Sequence, residues 1–135
     1  MSSQQRNSKT MHIILWVAQV LLATLLLSGF IMKFLPIEKI SAIMPWTGQV
    51  PALVVRLLGI IDFLGAIGLI LPTLLSIKPQ LTPWTALGII ALMVCAIIFH
   101  VSRGEILVIG VNVFCLGLAV FIAWGRFKKA PVSSK

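Results

Sequence analysis

The longest uncharged apolar stretches of this chain are long enough to cross a lipid bilayer. The first, Ile13–Met32, holds 20 residues without a charge, and about 20 apolar residues in an α-helix span the roughly 30 Å hydrocarbon core. Hydrocarbon offers no hydrogen-bond partner to the backbone N–H and C=O groups. Such stretches therefore fold as helices, in which these groups pair with one another. We therefore predict an all-α integral membrane protein, a four-helix bundle with spans at about residues 12–34, 51–71, 83–102 and 105–125.

The composition is that of a protein whose solvent is lipid. Hydrophobic residues make up 59% of the chain and charged residues only 10%, whereas a soluble domain carries about 25% charged residues. The net charge of +8 would suggest nucleic-acid binding in a soluble protein. Here the basic residues flank apolar runs, where they orient helices and contact lipid headgroups. We therefore expect the lipid bilayer as a partner and no nucleic acid.

The distribution of basic residues predicts the orientation. Residues 1–10 are interpreted as a disordered cytoplasmic tail, residues 11–126 as the transmembrane domain and residues 127–135 as a basic cytoplasmic tail. Four spans place both termini on one side, which then holds seven basic residues against three in the loops of the other side. The excess predicts cytoplasmic N- and C-termini. No convincing cleavage site follows the first apolar run, so we interpret it as a retained helix.

The long loop between the first two spans contains its own apolar pattern. Ile37, Ile40 and Met44 would share one face of a helix. This favours a short interfacial helix in the first external loop, with Trp46 as a membrane anchor. An irregular loop is the alternative interpretation.

Asp62 is the most informative residue for function, because it lies in the middle of an apolar stretch. A carboxylate at the centre of a membrane helix costs roughly 2.5–3.5 kcal/mol on insertion scales, so it must face a packed interior or a wet cavity. In the first span, an interior stripe is predicted from the residues that share one side of the helix, namely His12, Trp16, Gln19, Ala23 and Lys33. In the second span, the glycines on the half of the helix that carries Asp62 predict close helix packing; they are Gly59, Gly65 and Gly68.

The predicted topology brings the other ionisable groups of the spans and hairpin to the outer half of the bundle. The candidate ligand or proton site is therefore Asp62, His100, Arg56 and Asn112. Asp62 is alternatively a structural acid, paired with Arg56, His100 or Asn112. His100 and Glu105 either form a proton path toward Asp62 or cap the hairpin at the interface. Glu105 belongs to the hairpin motif Arg103, Gly104 and Glu105. On the fourth helix, Gly110 and Gly117 form a small-residue seam opposite its polar stripe.

Several kinds of site find little support in the sequence. Cys95 and Cys115 are expected at similar depth, where two apolar core thiols are a better interpretation than a buried redox pair. One histidine with two scattered carboxylates does not form a ligand set, so no metal is predicted. The chain carries no catalytic Ser/His/Asp order, no P-loop and no dinucleotide fingerprint. No residue is therefore assigned a catalytic role.

Four stretches of the chain resemble the DoxX-like family of small four-helix membrane proteins. They are Ser28-Gly-Phe-Ile-Met-Lys33, the glycine-rich run with its acid from Leu58 to Pro72, Ala96-Ile-Ile-Phe-His-Val-Ser-Arg-Gly-Glu105, and the closing Gly-Arg at Arg126. The resemblance covers roughly residues 12 to 126. One departure is Asp62, where the family more often has Glu.

The resemblance implies a four-helix bundle in a bacterial inner membrane. Relatives include small subunits linked to quinone-dependent sulfur oxidation, members of membrane oxidoreductase complexes and animal proteins that help assemble receptors. We therefore expect an accessory or assembly subunit that binds a membrane-protein partner, a copy of itself or a small ligand. A quinone is the one cofactor class this suggests. Alternatives are a quinone-linked oxidoreductase subunit and a small dimeric transporter, the latter disfavoured because the similar exporters carry their essential acid in the first helix.

Overall fold

The fold is all-helical in the computed structural model, which describes residues 3–133. Its α-helices are α1 (Ser3–Met32), α2 (Ile37–Ile43), α3 (Ala52–Leu75), α4 (Leu81–Ser102) and α5 (Ile106–Trp124). A 3₁₀ turn (Pro45–Gly48) precedes α3, and a π-helical turn (Gly125–Lys129) follows α5. Four of the helices, α1, α3, α4 and α5, are long and apolar enough to cross a membrane. The all-α class and the four predicted spans are confirmed.

The four long helices form a closed ring in which α1 packs on α3, α3 on α4, α4 on α5 and α5 on α1. Their shared core is built from buried apolar side chains such as Leu22, Leu69 and Ile122, each of which is fully inaccessible. The outer faces carry large exposed apolar side chains, with Leu53 69% and Ile106 77% exposed. Surfaces of this kind mark contact with a membrane. The chain is therefore a multi-pass integral membrane protein.

The two ends of the helix bundle differ in the segments that they carry. We call the end that carries α2 and the α4–α5 turn the outer end, and the end where α1 begins and the π-helical turn lies the inner end, following the orientation that the charge distribution predicts. At the inner end the helices extend beyond their predicted bounds. Helix α1 begins at Ser3, so residues 3–10 are helical and the prediction of a disordered tail there is wrong; residues 1 and 2 lie outside the described residues. The π-helical turn likewise continues into the predicted basic tail.

Helix α3 passes through Pro72, where the prediction ended it. A proline inside a helix removes one N–H donor and pushes away the carbonyl four residues earlier, which is that of Gly68. The Thr82 hydroxyl on α4 donates to Gly68 O at 3.1 Å, and Gln19 Nε2 on α1 donates to Leu69 O at 2.5 Å. Neighbouring helices therefore satisfy the carbonyls around the proline, which lets α3 continue across it.

The segment between α1 and α3 packs over the outer end of the bundle. Helix α2 forms where a short helix was predicted. Ile40 of this helix is fully buried and packs in one apolar cluster with Trp46 and Val55. Trp46 is only 7% exposed, and its ring packs edge-on against Phe99 and His100 at centroid distances of 6.1 Å each. The predicted role of Trp46 as a membrane anchor is therefore wrong, because its ring is enclosed by the protein.

The glycines of α3 lie at close helix contacts. A Cβ atom built on Gly59 would lie 2.8 Å from the Phe34 ring, and one on Gly65 would lie 3.1 Å from Leu26. At Gly68 the added atom would lie 2.3 Å from Thr85 Oγ1. The glycines of α5 differ: among the described residues nothing lies within 4 Å of a Cβ built at Gly110 or Gly117. The α3 glycines thus close the bundle, whereas the predicted seam on α5 faces outward.

The contact at Gly68 predicts the effect of a single methyl group. Gly68→Ala should lower the free energy of unfolding by about 1–3 kcal/mol, because overpacking forces the stiff, β-branched Thr85 to move. Gly117→Ala is the matched control, since its added Cβ meets open space and alanine favours a helix over glycine by about 0.5–1 kcal/mol. Thermal unfolding followed by circular dichroism in detergent should rank Gly68→Ala below wild type and Gly117→Ala at or above it. Equal melting temperatures for the two variants would contradict the tight α3–α4 contact.

Candidate functional site

A buried ion pair joins the end of α1 to the middle of α3. Asp62 lies on the buried face of α3, and Lys33, just after α1, places its Nζ 2.6 Å from Asp62 Oδ2. Their side chains are only 7% and 15% exposed, respectively. The sequence interpretation named Arg56, His100 or Asn112 as the structural partner of the acid, and the structure corrects this to Lys33. The available signal was the place of Lys33 on the predicted interior stripe of the first helix.

Two glycines make room for the ion pair. A Cβ atom on Gly29 would lie 2.8 Å from Asp62 Oδ2 and 3.2 Å from Lys33 Nζ. A Cβ on Gly59 would lie 3.0 Å from Lys33 Cβ. All three distances are shorter than ordinary van der Waals contact. Any larger residue at Gly29 would therefore push the two charges apart.

Arg56 lies outside the site that the sequence assigned to it. Its Nη1 donates to Lys33 O at 2.5 Å and to Leu35 O at 2.8 Å, and its guanidinium lies 5.7 Å from the centroid of the Phe34 ring. The last carbonyl groups of a helix lack partners within that helix. Arg56 supplies donors to the backbone that follows α1, so it is a positioning residue for Lys33.

A cavity of about 270 Å³ opens beside the ion pair. Asp62, His100 and Asn112, which the sequence grouped as candidate site residues, all line it, and Lys33 is a fourth polar residue in its wall. The rest of the wall is largely apolar and includes the buried ring of Trp46. The structure therefore brings three of the four candidate residues into one space, and it adds Lys33 and Trp46, which the sequence interpretation did not include.

Asn112 presents a hydrogen-bond donor without a partner. Its Nδ2 is buried and forms no hydrogen bond to any described residue. A buried donor left unpaired costs about 1–3 kcal/mol. Asn112 also lines the cavity, so a rotation of its side chain would bring this donor to an acceptor held there.

The α4–α5 turn is a Schellman motif built around Gly104. Glu105 N donates to His100 O at 2.9 Å, and Gly104 N donates to Val101 O at 3.1 Å. Gly104 has φ +73, a left-handed conformation that glycine adopts without strain. The turn directs the Glu105 carboxylate back toward the helix, where Oε1 lies 3.3 Å from His100 Nδ1 and 2.5 Å from Arg103 Nε.

The hairpin motif therefore caps the turn and also orients the histidine. The carboxylate of Glu105 accepts from His100 Nδ1, which favours the tautomer with its proton on that nitrogen. Arg103 also donates to the side chain of Gln49, which ties the turn to the segment after the 3₁₀ turn. The hydrogen bond from Arg103, supported by the one from His100, holds the pKa of Glu105 below its ordinary value.

The two cysteines occupy different environments. Cys115 is buried in the core, in agreement with the core-thiol interpretation, whereas Cys95 is exposed at the cavity wall. Neither forms a disulfide. Within the described range 3–133, no three or more His, Cys, Asp and Glu side chains group closely enough to hold a metal ion.

The sequence resemblance is supported by a family comparison. The model of the DoxX-like family matches residues 17–122. This range includes the Lys33–Asp62 pair, the cavity and the α4–α5 turn, whereas Arg126 lies beyond it. No curated protein and no solved structure matches the chain.

Removing one partner of the buried ion pair should destabilise the bundle more than removing both charges. Lys33→Met leaves an unpaired buried carboxylate, which should cost about 3–5 kcal/mol. The double variant Lys33→Met/Asp62→Asn carries no buried charge at this position and should recover most of that loss. Unfolding titrations in mixed detergent micelles would give the free energies of the complete cycle. A double variant no more stable than Lys33→Met would contradict direct coupling of the two residues.

The Glu105 interactions predict a dependence on pH. Because the folded-state pKa of this carboxyl is depressed, its stabilising effect is present above the ordinary Glu pKa of 4.5 and is lost as the pH falls through the lower folded-state pKa. Glu105→Gln should therefore lower the melting temperature at neutral pH and have little effect in strong acid. A melting-temperature difference that stays constant between these two conditions would exclude the charged form of Glu105 as the cause.

Proposed function

The chain belongs to the DoxX-like family, and from that premise we propose that it is an accessory or assembly subunit that holds a small amphipathic ligand in the cavity beside Lys33 and Asp62. The cavity carries the proposal, because it combines mostly apolar walls with four convergent polar side chains. Small-molecule sites in proteins have this composition, with a few polar groups that fix the orientation of the ligand.

The size and the opening of the cavity restrict the ligand. Its volume of about 270 Å³ lies just below the range of about 300–1,000 Å³ typical of ligand pockets, so it suits one ring or one polar head. Val54 on α3 and Cys95 on α4 line it and are also exposed on the bundle surface. An alkyl tail would therefore leave the cavity between these helices and lie in the lipid.

The polar groups favour a ligand with oxygen acceptors. Asn112 offers an unpaired amide N–H, and the Lys33 ammonium has three donors, of which the Asp62 contact occupies one. Since Asp62 balances the charge of Lys33, the cavity attracts a neutral polar head at least as well as an ion. A quinone ring and a lipid headgroup both supply such acceptors.

A quinone-linked oxidoreductase subunit is the second candidate. The observation that favours it is the presence of His100 and Asp62 in the wall of one cavity, where both could exchange protons with a bound ring. The sequence contains no recognisable redox-centre motif, so electrons would come from a partner protein. A partner helix could approach the exposed glycines of α5, Gly110 and Gly117, because small residues permit close packing.

Filling the cavity should displace the ligand. Ala96 lines the cavity, whereas Ala91 on the same helix is exposed and outside it; Ala96→Phe and Ala91→Phe therefore form a matched pair. Native mass spectrometry of the protein in nanodiscs prepared directly from membranes should show a bound small molecule in wild type and Ala91→Phe. The same mass should be lost in Ala96→Phe and reduced in Asp62→Asn.

The identity of the released molecule separates the two candidates. A quinone, recognised by its mass and its ultraviolet absorbance, favours the redox subunit, and a lipid or another amphiphile favours the accessory role. Melting temperatures of all variants control for folding. Wild-type protein without any bound small molecule, or equal binding in Ala96→Phe and Ala91→Phe, would contradict a ligand role for the cavity.

A further inference from the structure

A buried arginine at the inner end fastens the π-helical turn to α1. Arg126 lies in this turn and is only 3% exposed. Its Nε donates to Gln19 Oε1 at 2.6 Å, and its Nη1 donates to Ala130 O at 3.0 Å. The same Nη1 lies 2.8 Å from His12 Nδ1. The contacts with Gln19 and His12 join the turn to α1, whereas the contact with Ala130 closes the turn itself.

The contact between Arg126 and His12 requires a neutral imidazole. A guanidinium has N–H donors and no acceptor, so His12 Nδ1 must be the acceptor, and the ring carries its one proton on Nε2. A protonated imidazole has an N–H group on both nitrogens. Protonation would therefore direct a donor and a positive charge at a second cation 2.8 Å away. The hydrogen bond exists only while His12 is neutral.

The elements packed around His12 bring cations and uncharged groups. Arg126 faces the ring from the π-helical turn, and Lys9 lies on α1 in the wall of the same open cleft. Helices α3 and α4 contribute the hydroxyl groups of Thr73 and Thr82 to the polar network of this end. A proton on the imidazole would therefore meet like charges.

No acidic side chain lies at the inner end to offset such a proton. The chain contains three acidic residues. Two of them, Asp62 and Glu105, form ion pairs in the outer half of the bundle, and the third, Glu38, lies in α2 at the outer end. A nearby carboxylate would favour the protonated form of a histidine, and His12 has none.

Solvent reaches His12 through the open cleft. The cleft has a volume of about 350 Å³, and its wall includes Ser8, Lys9, His12 and Ala130. The His12 side chain is half-buried, so its ring can exchange a proton with water. Histidine is the side chain whose ordinary pKa, about 6.5, lies nearest to physiological pH. A modest acidification therefore suffices to change the charge at this contact.

We propose that the contact between His12 and Arg126 is a pH-sensitive latch, which holds the π-helical turn on α1 when His12 is neutral and releases it when His12 is protonated. The latch lies at the opposite end of the bundle from the cavity and does not depend on a ligand there. Its effect extends to α3, because Gln19, which accepts from Arg126, also donates to Leu69 O at 2.5 Å. Release of the turn would therefore loosen a connection between α1 and α3 as well.

Hydrogen–deuterium exchange of the full-length chain in nanodiscs tests the latch. The readout is the protection of the amides of residues 125–130, one of which, Ala130 N, donates to Gly125 O at 2.7 Å. After correction for the pH dependence of the intrinsic exchange rate, this protection should fall by about tenfold between pH 7.5 and pH 5.5. Such a loss is expected when a hydrogen bond to a charged group is removed.

The chain contains only two histidines, so two variants assign the effect. His12→Gln does not titrate and should abolish the pH dependence, whether its amide replaces the imidazole as acceptor or leaves the turn unprotected at both pH values. His100→Gln leaves His12 as the one imidazole and should retain the tenfold change.

Three results would overturn the proposal. They are equal protection of residues 125–130 at both pH values in wild type, a pH dependence that survives in His12→Gln, and a pH dependence that disappears in His100→Gln. If His12→Gln does not fold, the comparison of wild type with His100→Gln still decides the matter.

Discussion

The pairing of Asp62 with Lys33 is the constraint on which the outer half of the bundle depends. A carboxylate inside a membrane helix is tolerated only against a partner or a wet cavity, and the partner here comes from beyond the end of α1. For Lys33 to reach inward, α1 and α3 must approach closely, which the glycines at positions 29 and 59 allow. The α1 end must also be held, which Arg56 achieves through backbone carbonyls. One electrostatic requirement thus explains the placement of several residues that never touch a ligand.

The ion pair also determines the character of the cavity beside it. Since each charge neutralises the other, the space presents hydrogen-bond donors rather than a free ion. The unpaired amide of Asn112 and the oriented ring of His100 then become the groups with unused hydrogen-bonding capacity. This arrangement is better suited to holding a polar head against an apolar wall than to moving an ion through the bundle.

Much of this architecture could be predicted from local sequence patterns. The structure differs from the prediction where contacts between residues distant in the sequence determine the conformation. Segment length predicts the spans, and helical periodicity with alternating direction places Asp62, His100 and Asn112 together. Helical periodicity placed Lys33 on the predicted interior stripe, but it did not identify Lys33 as the partner of Asp62, because the long lysine side chain reaches inward from beyond the end of α1. The continuation of α3 through Pro72 depends on donors from other helices. The burial of Trp46 likewise depends on contacts with α4.

The two ends of the bundle differ in how their positive charge is balanced. The chain has eleven basic and three acidic residues, so most cations must find anions outside the protein. The outer end contains both acids that form ion pairs, Asp62 and Glu105, and its buried polar groups face a cavity without a net charge. The inner end contains the most deeply buried cation, Arg126, and no acid. The same excess of basic residues predicts that this end faces the cytoplasmic leaflet, where anionic lipids are abundant, so headgroups of that leaflet are the expected source of counter-charge for the exposed basic residues there.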